Sequence, residues 1–146
     1  MNRRATVIVT STRAAAGAYQ DRTGPVIAEW LSEHGFEVAP IVVVVADRPE
    51  VAAQLARTLA SGPDLVVTTG GTGVGHGDGT ADATAAVLDK TLPGFSEELR
   101  RRGFAATPLS LLSKGSSWYR RIDVHRQSAG VHGRGAGRTA APRRGR

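Results

Sequence analysis

The chain has 146 residues, 40% of them hydrophobic, no cysteine, and a formal net charge of +6. That length suits one domain, and the apolar content excludes wholesale disorder. Membrane-length apolar runs and signal-peptide patterns are absent, and without cysteine there are no disulfides or thiolate metal sites, so a cytoplasmic protein is expected.

The first strand is expected at Ala5–Thr10, a β-branched apolar run. A small-residue loop, 11–24, follows. Pro25 then suits a first helical turn, and Val26, Ile27, Trp30 and Leu31 recur at helical spacing before Gly35, predicting a helix over 25–34. Phe36–Ala46 contains the continuous run Ile41–Val45, which suits a strand covered on both faces. Asp47 ends it. A second helix opens at Pro49 and Glu50, carries Val51, Leu55 and Leu59 on one stripe, and stops at Gly62-Pro63. Leu65–Thr69 reads as a third buried strand. Thr80 is positioned to cap a helix reaching Asp89 or Lys90, and Pro93 opens another that closes at Gly103.

Alternating strands and helices imply parallel pairing with right-handed crossovers. Ligands of such sheets sit at the carboxyl ends of the strands. Loops 11–24, 46–50 and 69–80 lie there and hold nearly all the unusual residues of the body.

Charge is uneven along the chain. Residues 1–114 carry 11 basic and 12 acidic side chains, whereas residues 115–146 carry 8 arginines and one aspartate. The high isoelectric point therefore belongs to the tail. Blocks of like charge are usually solvated, and 116–146 is expected to be an atypical, disordered Arg/Gly-rich segment. Trp118-Tyr119-Arg120-Arg121 could suit single-stranded nucleic acid, a reading ranked behind a solvated tail.

Thr69-Gly70-Gly71-Thr72-Gly73 leaves a strand and approaches a helix start. Its successive N–H groups could form a nest for an anion, with threonine hydroxyls as further donors. A plain tight turn is the competing reading. Asp47 and Asp78 at neighbouring strand ends suit a magnesium ion, which takes one or two carboxylates plus substrate phosphates. A helix cap at Asp47 and a loop turn at Asp78 are the alternatives. His76 lacks a partner at ligand spacing, Asp82 complements a helix dipole, and no serine has the elbow of a hydrolase.

Two segments resemble the MogA/MoaB molybdenum-cofactor family. They are Thr10-Ser11-Thr12-Arg13 through Asp21-Arg22-Thr23-Gly24-Pro25, and Thr68-Thr69-Gly70-Gly71-Thr72-Gly73 with Asp78-Gly79-Thr80. Thr84, Leu92-Pro93-Gly94 and Leu112-Ser113-Lys114-Gly115 continue the match in order, over about residues 5–115. The resemblance implies a three-layer α/β/α fold with a mostly parallel sheet, and a homotrimer. It implies magnesium-dependent transfer of AMP from ATP to the terminal phosphate of molybdopterin. Thr69, Gly70, Gly71, Thr72, Gly73, Ser113 and Lys114 would bind molybdopterin or phosphate, with Asp47 and Asp78 catalytic and holding magnesium. Lys114 replaces the family's arginine and loses its bidentate fork. A molybdopterin-binding protein without transferase activity is the runner-up.

Residues 1–115 are thus expected to form the molybdopterin-binding domain, with the family's final strand, Asn-Leu-Pro-Gly-Ser motif and closing helix missing. Permitted codons for His125–His132, read one base over, spell Ile-Val-Asn-Leu-Pro-Gly-Ser. A frameshift between about Ser113 and Trp118 would explain the tail, and sequencing the nucleotides there tests it.

Overall fold

The computed structural model describes residues 2–115 and 118–119. Strand β1 (Arg3–Thr10) is central: buried from Ala5 to Thr10, it hydrogen-bonds along both edges. On one side it pairs in parallel with β2 (Phe36–Val38) through Arg3–Ala5 and with β3 (Val42–Val44) through Ile8–Thr10. On the other it pairs in parallel with β4 (Leu65–Thr69), in the register Ala5 to Leu65 through Val9 to Thr69.

β2 and β3 were expected as one strand over 36–46. The run is interrupted at Ala39–Ile41. Pro40 lies in the gap, where a residue without an N–H cannot donate to the ladder. Ala39 N–H still reaches Ala5 O at 2.9 Å, so the chain realigns with the same neighbour beyond the break.

Alternation along β1 builds two cores. Ala5, Val7 and Val9 pack with Leu31 of α2 (Thr23–Glu33), joined by Ile27, Phe36, Val38 and Val67. Ile8, on the opposite face, packs with Val51 and Leu55 of α3 (Arg48–Ala60) and Ala83 of α4 (Thr80–Ala85). The result is the expected three-layer α/β/α arrangement around a parallel sheet. Within 11–24 the chain also makes a one-turn helix, α1 (Thr12–Ala15), capped by Ser11 Oγ, which accepts from Ala14 N at 3.2 Å.

Two expected helices behave differently. α5 (Pro93–Phe104) matches its prediction to within one residue. α4 stops about four residues early: Val87 N–H turns back to Thr84 O at 3.0 Å, and Lys90–Thr91 (β5) leaves in extended form. β5 pairs antiparallel with β6 (Trp118–Tyr119), a segment the sequence places in the disordered tail. A short 3-10 turn, Pro108–Leu112, leads from α5 to Ser113–Gly115. The expected disorder over the rest of 116–146, the missing strand and helix and the frameshift lie outside the described residues. No helix among the described residues is long and apolar enough to cross a membrane.

Candidate functional site

The carboxyl edge of the sheet gathers four segments: the end of β1, the β3–α3 junction, the glycine loop after β4, and Ser113–Gly115. Gly70 and Gly71 turn the chain there with φ of +91° and +58°, a region disfavoured for other residues. Space demands glycine as well. A Cβ on Gly70 would strike Thr10 O, and one on Gly71 would strike Thr80 Oγ1.

Thr10 and Thr80 form the floor beneath that turn. Their hydroxyls are 2.8 Å apart and buried, and Thr10 Oγ1 also donates to Thr69 O at 3.1 Å. Thr80 was expected to cap α4. Gly79 occupies the cap position instead, with no side-chain bond, because the Thr80 hydroxyl is turned inward to Thr10. Thr80 N–H donates to Gly71 O at 3.2 Å, which closes the loop's far end. Among the described residues, no acceptor is paired with the N–H groups of Gly71, Thr72, Gly73 or Val74. Four successive donors at a sheet edge, next to two positive-φ glycines, have the makings of an anion nest.

The structure brings the two aspartate-bearing turns together. Gly79 N–H donates to Ala46 O at 3.0 Å, and a Cβ on Gly79 would strike Arg48 N. Asp47 is exposed and caps α3, its Oδ1 accepting from Glu50 N at 2.9 Å. Asp78 is half-buried and folds over its own loop, Oδ2 accepting from Gly75 N at 3.1 Å. The bland roles weighed for both residues are therefore real.

These roles occupy one oxygen of each carboxylate, and an ionised carboxylate has about four acceptor sites. Among the described residues no group of three or more His, Cys, Asp or Glu could hold a metal ion. Each aspartate is a hard oxygen donor of the kind magnesium takes, one or two carboxylates plus phosphates. His76 is exposed on the loop.

Lys114 touches the glycine loop with its backbone and α4 with its side chain. Its N–H donates to Thr72 O at 2.7 Å, and Nζ lies 3.1 Å from Asp82 Oδ2. Asp82 thus does more than complement the α4 dipole. Ser113 Oγ accepts from Gly115 N at 3.3 Å and shapes the same segment. Thr10 and Arg100 are the residues the sequence reading missed. A threonine ending a buried strand beside a glycine turn is a usable signal for the first. Arg100 gives no local signal, because its partners lie 13 and 15 residues away.

A family model described as a probable molybdopterin binding domain matches residues 6–129. The chain belongs to the molybdopterin-binding-domain family. The molybdopterin adenylyltransferase of Escherichia coli K12 is 36% identical over 113 residues, 74% of this chain and 57% of that protein. The molybdenum cofactor biosynthesis bifunctional protein of Synechococcus elongatus is 36% identical over 114 residues, 78% of this chain and 36% of that protein. The chain thus spans 36% and 57% of these two curated relatives. The Mog protein of molybdopterin biosynthesis from Mycobacterium ulcerans superposes with a TM-score of 0.73 at 42% identity, covering 80% of this chain and 76% of that one. Membership in the molybdopterin-binding-domain family agrees with the resemblance and with the layered fold.

Proposed function

We propose that this protein acts in molybdenum-cofactor biosynthesis, in the cytoplasm, as a molybdopterin adenylyltransferase. A terminal phosphate oxygen of molybdopterin attacks the α-phosphorus of ATP. The bond from that phosphorus to the α–β bridging oxygen breaks, and pyrophosphate leaves. The observation that carries this reading is the run of four loop N–H groups with no acceptor among the described residues, beside Lys114, Asp47 and Asp78.

The chain's own groups would act by position and charge, which dominate catalysis of phosphoryl-type transfers. Gly71 through Val74 direct N–H donors at phosphate oxygens. Lys114 adds a cation beside the loop, and it must exchange Asp82 for the ligand to do so. Magnesium, when bound through Asp47 and Asp78, would neutralise phosphate charge.

Incubating the chain with ATP, magnesium and molybdopterin and following pyrophosphate release tests the proposal. Asp78→Asn should lower turnover more than it lowers molybdopterin binding. A folded chain that binds molybdopterin and transfers no AMP would overturn it and support a binding-only protein. The matching family model, a probable molybdopterin binding domain, gives that second reading its footing. We also propose a homotrimer. The exposed apolar side chains Leu92, Phe95, Leu99, Phe104, Leu109 and Leu112 support self-association, and light scattering of the purified chain reads its mass.

A further inference from the structure

Three consecutive arginines, Arg100, Arg101 and Arg102, lie near the end of α5, and Arg100 differs from the other two in its partners. Arg101 and Arg102 both pair with Glu98 on the helix surface, at 2.7 Å. Arg100 is half-buried and turns toward the site, Nη1 donating to Ser113 O at 3.0 Å and to Gly115 O at 3.1 Å. These two carbonyls bracket Lys114. On the same stretch, Ser110 Oγ donates to Arg100 O at 3.0 Å, fastening the 3-10 turn to the arginine's own backbone.

We propose that Arg100 is a positioning residue for the anion site: it fixes Ser113–Gly115 so that Lys114 stands against the glycine loop. The inference rests on the reading that the loop and Lys114 take a phosphate-bearing ligand. A guanidinium makes charge-assisted bonds to both carbonyls, stronger than neutral ones. Without it, Ser113 O and Gly115 O lose their shared donor, and the segment is left tied to the loop by the bond from Lys114 N–H to Thr72 O and by the approach of Gly115 to the Thr72 methyl. Among the described residues Arg100 makes no bond to the glycine loop itself, so its effect passes through Ser113–Gly115 and the Lys114 N–H that meets Thr72 O.

The test uses the full chain and two readouts. Amide exchange followed by NMR should show Lys114 N–H exchanging about tenfold faster in Arg100→Ala, with β1 amides unchanged. Arg100→Lys retains a nitrogen with several donors and should recover part of the protection. Arg102→Ala should match wild type. In titrations with inorganic pyrophosphate, Arg100→Ala and Lys114→Ala should each weaken binding about tenfold, and the double variant should be no weaker than Lys114→Ala. Unchanged Lys114 exchange in Arg100→Ala, or additive losses in the double variant, would overturn the proposal. Absence of pyrophosphate binding by the wild type would overturn the phosphate reading instead, and the exchange experiment would still decide the role of Arg100.

Discussion

Gly70 and Gly77 belong to the same loop, yet alanine should be tolerated at only one of them. At Gly70 the φ of +91° is costly for any residue with a Cβ, about 1–2 kcal/mol. The new methyl would also strike Thr10 O and sit 3.0 Å from Thr10 Oγ1, the hydroxyl bonded to Thr80. Forcing an extra carbon into such a contact costs about 1–3 kcal/mol. The two effects together give about 2–5 kcal/mol for Gly70→Ala. At roughly 3–5 °C per kcal/mol for a chain of this size, its melting midpoint should fall by at least about 6 °C. At Gly77 a Cβ meets nothing within 4 Å, and φ is not in the positive region, so Gly77→Ala should stay within about 0.5 kcal/mol of wild type. Thermal unfolding of the two variants side by side isolates geometry, since each adds one methyl group. Equal midpoints would refute the packing described for the turn, and with it the floor made by Thr10 and Thr80.

Asp47 can be dissected by residue type. Asp47→Ala should lose about 1 kcal/mol with the α3 cap, whereas Asp47→Asn keeps a capping oxygen and should melt with wild type while losing AMP transfer; an Asn variant with full activity would remove the charge from the proposed chemistry. Thr84 Oγ1 is buried with no hydrogen-bond partner among the described residues, so Thr84→Val should raise stability by about 1 kcal/mol in denaturant titrations. Glu98 is held at a pKa of about 2 by hydrogen bonds from Arg101, then Arg102. A depressed carboxylate stabilises above its unfolded value and loses that contribution as pH falls through its folded value. The stability difference between wild type and Glu98→Gln should therefore be full near neutral pH and vanish as pH falls from about 4.5 to about 2. It should also shrink with added salt, because the pair is exposed.

The sequence reading succeeds where local pattern and tertiary environment agree. β4 is read at 65–69 without error because a short β-branched run bounded by Pro63 and Gly70 has few alternatives. α5 is read to within one residue because Pro93 sets its start. The continuous strand over 36–46 fails at Pro40, whose missing N–H was visible in the sequence and was outweighed by the valines that follow. The long helix from Thr80 fails for a reason no local window holds: β5 takes its partner from residues 118–119. The site shows the same division. The glycine turn and both aspartates are legible from spacing, and Asp47 shows the capping role the sequence had offered as its alternative. Thr80 turning to Thr10, and Arg100 reaching two carbonyls beyond the next turn, depend on contacts that exist only after folding.

The central place of β1 has a consequence for biosynthesis. This strand is translated before all three of its sheet partners, yet Ala5 finds its β4 partner 60 residues later, at Leu65. At about 5–20 residues per second, the ribosome would need roughly 3–12 seconds to make that partner. Until then the Ala5–Val9 edge of the most buried strand is uncovered, and every pairing it makes in this sheet is parallel and non-local. The nascent chain therefore passes through an interval in which Val7, Ile8 and Val9 are available to other chains, and slowing translation between residues 10 and 65 should increase its demand for chaperones.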